Sequence, residues 1–363
     1  MNHIPFLHQE RKKSYSQSSQ VKDFSVFDFN YIPEEPVMRQ EGKHLIREMI
    51  RFETTGIPTH QAILGTKGSG KTLTLKYLQR IMNTETDLNV IYANCREHNT
   101  SFKIFAQFLD VQARGASLSE LYNRFCQKYQ GKTVVLLDEI DLMSPKDKRR
   151  DILYFLSRSK NPYMVIMLSN NHRVLHELDD STKSSLQPKT MYFKNYDAQQ
   201  LQDILRGRAH LGLHKWDDNI LAQIAALTTK RTNSDARVAI KTLFYIVTEA
   251  HSDIGTCFEQ ARQDIIVEMI NNLSDSLLLI LQAIATSRSD FAKDIYQRYR
   301  KVCAGEHERP FSYVHYYANL SYLQSMGLIA LISTKVACTY ANRLMLTFDQ
   351  SVFEPIYRLR FGS

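Results

Sequence analysis

Eight consecutive residues, Gly65-Thr66-Lys67-Gly68-Ser69-Gly70-Lys71-Thr72, constrain this chain more than any others. They match G-x-x-x-x-G-K-[ST] at each fixed position. The apolar run Ala62-Ile63-Leu64 precedes them, and a helical pattern over 71–82 follows. Strand, glycine-rich loop and helix in that order commit the chain to an α/β fold. The glycines let successive backbone N–H groups curl around an anion, and the helix N-terminus adds its dipole. The expected ligand is the phosphate chain of ATP or ADP, with Mg²⁺. Lys71 is expected to reach the β- and γ-phosphates, and the Thr72 hydroxyl to bind Mg²⁺.

The text around the loop repeats the same grammar. Residues 89–93, 133–137 and 163–168 read as apolar strands. Residues 40–52, 101–109, 117–129 and 149–157 read as helices. Fully apolar strands alternating with helices predict a parallel sheet covered on both faces. Asp138-Glu139-Ile140-Asp141 leaves the strand at 133–137, in the crevice where such sheets bind ligands. Asp138 is expected in the Mg²⁺ shell, and Glu139 is placed to polarise an attacking water. Asn170 ends the next strand and can orient that water. Asn171 offers the same chemistry one position on, and Asn is also an ordinary turn residue. Arg237, behind the cap sequence Asn233-Ser234-Asp235, either reaches back to the γ-phosphate or is a solvated helix arginine.

From 196 to about 272 strand signals stop and helical patterns follow one another. After 274 come three helical stretches and two short strands around a polar turn, the order of a winged helix. The domains expected are a flexible N-terminal tail over 1–30, an ATPase base over 31–195, a helical lid over 196–273 and a winged helix over 274–363. The N-terminus lacks the apolar core of a signal peptide, and the longest apolar run, 277–285, is about half of a membrane span. Five cysteines, 31 or more residues apart, make no CxxC pair. That argues against a zinc knuckle or a disulfide scaffold and fits a reducing cytoplasm. The net charge of +8 favours an anionic partner without identifying one.

Phosphate loop, DEID, polar strand tip and NSDAR, in this order, resemble an AAA+ ATPase. NVIYANCREHNTSFKIF, LDDSTKSSL, YDAQQLQDILRGR and NSDARVAIKTL resemble the archaeal initiators of the origin-recognition and cell-division-control family. FAKDIYQRYRKVC and FSYVHYYANLSYLQSMGLIAL resemble that family's winged helix. The resemblance covers about residues 30 to 350. It implies an ATPase base, a helical lid and a winged helix on origin DNA. It also implies nucleotide contacts from Tyr196, near adenine, and Arg208, near the phosphates. Without the resemblance, Tyr196 reads as a core aromatic. Ser181 stands where the family usually has an arginine acting on a neighbour's nucleotide. Lys183 lacks a bidentate fork, and Arg173 is the nearby substitute.

The winged helix would bring Ser312, Tyr313 and His315, at a helix start, to the major groove. Lys335 and Arg343 would touch backbone or minor groove from the wing. The Arg114 region matches where the family inserts a DNA-contacting helical element, or is a solvated loop. Ten Lys/Arg against seven Asp/Glu after 274 give only +3, so affinity rests on a few placed contacts, and a protein-docking role stays open. The function expected is an ATP-switched, origin-binding replication initiator with slow hydrolysis. It would help to recruit the replicative helicase and act with other initiator copies. The alternatives are a winged-helix transcription regulator with structural nucleotide and a clamp-loader or transposition-helper ATPase.

Overall fold

The computed structural model describes residues 20–112, 114–144, 147, 150–171, 174–249, 253–336 and 339–362, and of 334–336 and 339–341 the backbone alone. Two compact units form. One is made by Asn30–Asn195 and the other by the segment up to Phe29 together with Tyr196–Ser363.

The 30–195 unit is a parallel sheet of five strands: β1 (Gln61–Gly65), β2 (Asn89–Asn94), β3 (Thr133–Asp138), β4 (Tyr163–Ser169) and β5 (Lys189–Phe193). Their spatial order is β2-β3-β4-β1-β5, with every pairing parallel. The middle strands β1, β3 and β4 are buried along their whole length, which is why they read as unbroken apolar runs. Alternate residues serve opposite faces. Ile63, Val134, Leu136, Ile166 and Leu168 pack on α1 (Gln40–Thr55) and α2 (Lys71–Glu85). Leu64, Val135, Leu137, Val165 and Met167 pack on α3 (Ser101–Leu109), α4 (Leu118–Lys128) and α5 (Asp151–Ser157). A short α6 (Asp180–Leu186) precedes β5. β1 connects toward β2 on one side of the sheet, while its neighbour β4 connects past it to β5 on the other, so the chain connections diverge at the C-terminal ends of β1 and β4. That is where an open α/β sheet has its ligand crevice. Sequence patterning did not anticipate β5: of KTMYF only Phe193 is buried, and the strand pairs with β1 alone.

The other unit stacks α7 (Ala198–Gly212), α8 (Asp218–Arg231), α9 (Ala236–Thr248) and α10 (Ile254–Asn271). Then come α11 (Asp275–Thr286), α12 (Ala292–Gly305) and α13 (Tyr313–Ser325). The antiparallel hairpin β6 (Ile329–Val336)–β7 (Thr339–Leu346) and α14 (Gln350–Phe361) complete it. Three helices and a hairpin give the winged-helix order. One apolar cluster runs from Val238 and Phe258 through Leu278 and Tyr299 to Tyr357. Residues on both sides of 273 thus share one core.

The N-terminal segment is seated along its described part. Residues 20–29 are docked on the helices. Val21 bridges Leu213, and a 3₁₀ turn over Phe24–Phe27 buries Val26 and Phe27, the latter 5.8 Å from the Phe244 ring. Gly212 permits the approach, since a Cβ there would stand 2.3 Å from Val26 Cγ2.

Candidate functional site

The phosphate loop runs from β1 into α2 at the C-terminal ends of the strands. Gly68 and Gly70 take left-handed φ of 73° and 82°, and Gly70 caps α2. Only glycine does this without a Cβ clash. Lys71 is 7% exposed. Its ammonium donates to the carbonyls of Gly65 (2.8 Å) and Thr66 (2.7 Å) and to Asn170 Oδ1 (2.9 Å). The Thr72 hydroxyl donates to Asp138 Oδ2 at 2.7 Å. Loop, acidic strand end and polar strand end are therefore in hydrogen-bond register. Asn171, the competing position, donates instead to Glu177 Oε1. Hydroxyl and carboxylate side by side are the hard oxygen donors that Mg²⁺ takes, beside a loop shaped for phosphate oxygens. An ammonium held on carbonyls can turn to those oxygens when they arrive.

Glu139 stands next to this pair with φ of 52°, and its N–H donates to Asp138 Oδ1 at 2.9 Å. Burial first, then the neighbouring Asp138 charge, push its carboxyl above the ordinary range. A carboxylate so raised is the better proton acceptor. Lys67 pulls the other way.

Four residues of this neighbourhood escaped sequence reasoning. The Tyr92 hydroxyl donates to Asp138 Oδ2 at 2.9 Å, and burial with that charge holds its proton on. Asp141 accepts from Ser169 Oγ at 2.7 Å, and burial raises its carboxyl. Arg39 donates to the Ser69 and Lys194 carbonyls, and the Thr66 hydroxyl donates to Asn195 Oδ1. The signal for Asp141 was present in DEID. The others sit in segments without a motif.

The expected contributors after residue 195 lie in the other unit. Tyr196 is buried. Arg208 is 5% exposed and donates to the carbonyls of Val26 and Asp28, so its guanidinium holds the N-terminal segment, a task sequence reasoning did not foresee. Arg237 forks onto Asp235, its own helix cap.

At the winged helix, Ser312 caps α13 by accepting from the His315 N–H. Tyr313 and His315 are exposed, with Tyr313 edge-on to Tyr296 and His315 against Phe311. Tyr316 is the core tyrosine of this stretch. Arg343 does not flank the wing tip. It pairs with Ile332 halfway down the hairpin, lies over the Phe291 ring and sits 3.4 Å from Asp290. The reason is register: Val336 pairs with Thr339, and Arg343 stands four residues further along the strand. The Lys335 side chain and Arg173 lie outside the described residues. Arg114 is exposed in a turn, and among the described residues no helix separates α3 from α4. Of the two readings of this region, the described residues fit the solvated loop. Exposed cations that sequence reading passed over, Lys293, Arg300 and Lys301, share one face of α12.

Residues 58–174 match the AAA domain family. An ORC1-type DNA replication protein 3 of Sulfurisphaera tokodaii is 28% identical over 79% of this chain and 78% of its own length. An ORC1-type DNA replication protein of Methanothermobacter thermautotrophicus is 28% identical over 77% and 80%. The Aeropyrum pernix ORC1 protein, solved in complex with DNA, shares the fold with a TM-score of 0.68. It is 22% identical, covering 94% of this chain and 98% of that one. The Aeropyrum pernix ORC2 protein, solved as ADPNP–ADP complexes, shares it with a TM-score of 0.64 at 23% identity, covering 95% and 100%. With the strand order, phosphate loop and acidic strand end in place, this chain carries an AAA domain and is similar over most of its length to ORC1-type DNA replication proteins.

Proposed function

We propose that the chain is an ATP-switched replication initiator. Its 30–195 unit binds ATP or ADP with Mg²⁺, and its winged helix recognises origin DNA. It works in the cytoplasm on the nucleoid, with the replicative helicase and further initiator copies as partners. The observation that carries the reading is the pair of contacts Thr72–Asp138 and Lys71–Asn170, which joins three strand ends into one site. The relatives' names and the DNA in the Aeropyrum pernix ORC1 complex support the DNA half.

In this reading the loop N–H groups of 65–72 and Lys71 bind the phosphates, and Thr72 and Asp138 hold the metal. Mg²⁺, when bound, neutralises charge between the β- and γ-phosphates. Glu139 accepts a proton from water that Asn170 orients. By resemblance Arg237 and Arg208 are assigned to the nucleotide, and each is engaged here with the partners described above. Exposed Ser181 offers a neighbouring copy no cation. That favours slow resetting and also a second reading, a transcription regulator with structural nucleotide. Mapping bound genomic sites separates the two by origins or promoters.

The central test is Lys71→Ala. The parent should melt higher with ATP and Mg²⁺, by about 2.7 kcal/mol of added stability at ~100 times the dissociation constant, and the variant should not respond. A parent indifferent to ATP would overturn the nucleotide assignment.

A further inference from the structure

Arg39 is placed unlike any residue the phosphate-loop motif names. It is the cap residue of α1 and 8% exposed, and its backbone is tied into the helix by Lys43 N donating to Arg39 O. One arm of its guanidinium donates to the Ser69 carbonyl at 2.6 Å. The other donates to the Lys194 carbonyl at 2.6 Å. The plane lies over the Phe193 ring, 5.0 Å from its centroid. A planar fork with two donors spans two carbonyls and an aromatic face at once, which an ammonium cannot do.

The Ser69 carbonyl belongs to the peptide linking Ser69 to Gly70. In a trans peptide, C=O and N–H point opposite ways. Drawing the Ser69 oxygen toward Arg39 turns the Gly70 N–H away from it. Gly70, left-handed on one side of this peptide, lets it rotate more easily than any other residue would unless something holds it. Ser69 is anchored on its other side by its own hydroxyl, which donates to the Thr66 carbonyl at 2.8 Å.

We propose that Arg39 is a positioning residue for nucleotide binding: it locks the Ser69–Gly70 peptide so that the Gly70 N–H faces the phosphates, and braces it on the Phe193–Lys194 backbone. This rests on the nucleotide reading given above. The effect belongs to the phosphates, so ATP and ADP lose affinity together in its absence.

The test measures ADP and ATP dissociation constants for the parent, Arg39→Ala and Arg39→Lys, with ethylguanidinium added to each. Arg39→Ala should bind at least ~10-fold more weakly, or about 1.4 kcal/mol. Arg39→Lys should recover only part, since one ammonium replaces two fixed donors. Ethylguanidinium should strengthen binding to Arg39→Ala and leave the parent and Lys71→Ala unchanged, a response that a general loss of packing does not give. Should Arg39→Ala not fold, Arg39→Lys, which keeps the charge, carries the comparison. A folded Arg39→Ala, or in its place Arg39→Lys, that binds like the parent overturns the assignment of Arg39 alone. A parent that binds no nucleotide overturns the nucleotide reading itself.

Discussion

Glu139 combines two costs in one residue. A glutamate in the left-handed region is disfavoured by ~1–2 kcal/mol, and burial beside Asp138 disfavours its ionised form. A carboxyl raised in the folded state stabilises the fold below the unfolded carboxylate range. That contribution disappears as pH rises through the folded value. Ionised Glu139 therefore works against the ligand-free fold near neutrality. We expect Glu139→Gln to melt higher than the parent near neutral pH, with the gap closing as pH falls through the carboxylate range. We expect it also to keep ATP and lose turnover by ~10²–10⁴-fold. Parallel melting curves across the pH range, or undiminished single-turnover hydrolysis, would contradict this. Lys71, Thr72, Asp138, Glu139 and Asn170 were legible in the sequence because each stands at a fixed place after an apolar run. Arg39 was not, because its partner Ser69 lies 30 residues away and only the tertiary fold joins them.

At the scale of elements, legibility followed burial. β1, β3 and β4 are covered on both faces and read as apolar runs, whereas β5 lies at the sheet edge with one buried residue and reads as loop. α14 carries Pro355 inside it, a residue that argues against a helix when met in text. The docked segment 20–29 shows only Val26 and Phe27 as buried residues, too short a stretch to have a period. Its seat on α7 makes a specific forecast. Gly212→Ala forces a Cβ to within 2.3 Å of Val26 Cγ2 and 3.0 Å of the Asp23 carbonyl. This should cost ~1–3 kcal/mol in denaturant unfolding. Val26→Ala removes the nearest obstructing carbon, so the double variant should be more stable than the sum of its singles. Strict additivity would mean the two residues do not meet.

For the whole molecule, the proposed DNA binding is what would integrate scattered side chains. On the proposed reading, the exposed Lys293, Arg300 and Lys301 of α12 are available to phosphates, while Arg343 is already paired with Asp290. Removing Arg300 or Lys301 should therefore flatten the salt dependence by roughly one unit each, and removing Arg343 by less. His315→Ala, at the exposed start of α13, should narrow the gap between specific and scrambled duplex by ~1–3 kcal/mol. Salt titrations on both duplexes measure all four, and parent-like binding throughout would remove the winged helix from DNA recognition. The 20–29 segment also sets a timetable. Arg208 follows Val26 by 182 residues, and the whole 30–195 unit is synthesised between them. At ~5–20 residues per second the ribosome needs roughly 10 to 40 s to make that seat. For that interval Val26 and Phe27 stay wet while the 30–195 unit folds behind them. The first described residues of the chain are thus among the last to find their place, and a nascent chain stalled before residue 208 leaves an apolar hook with nothing to close on.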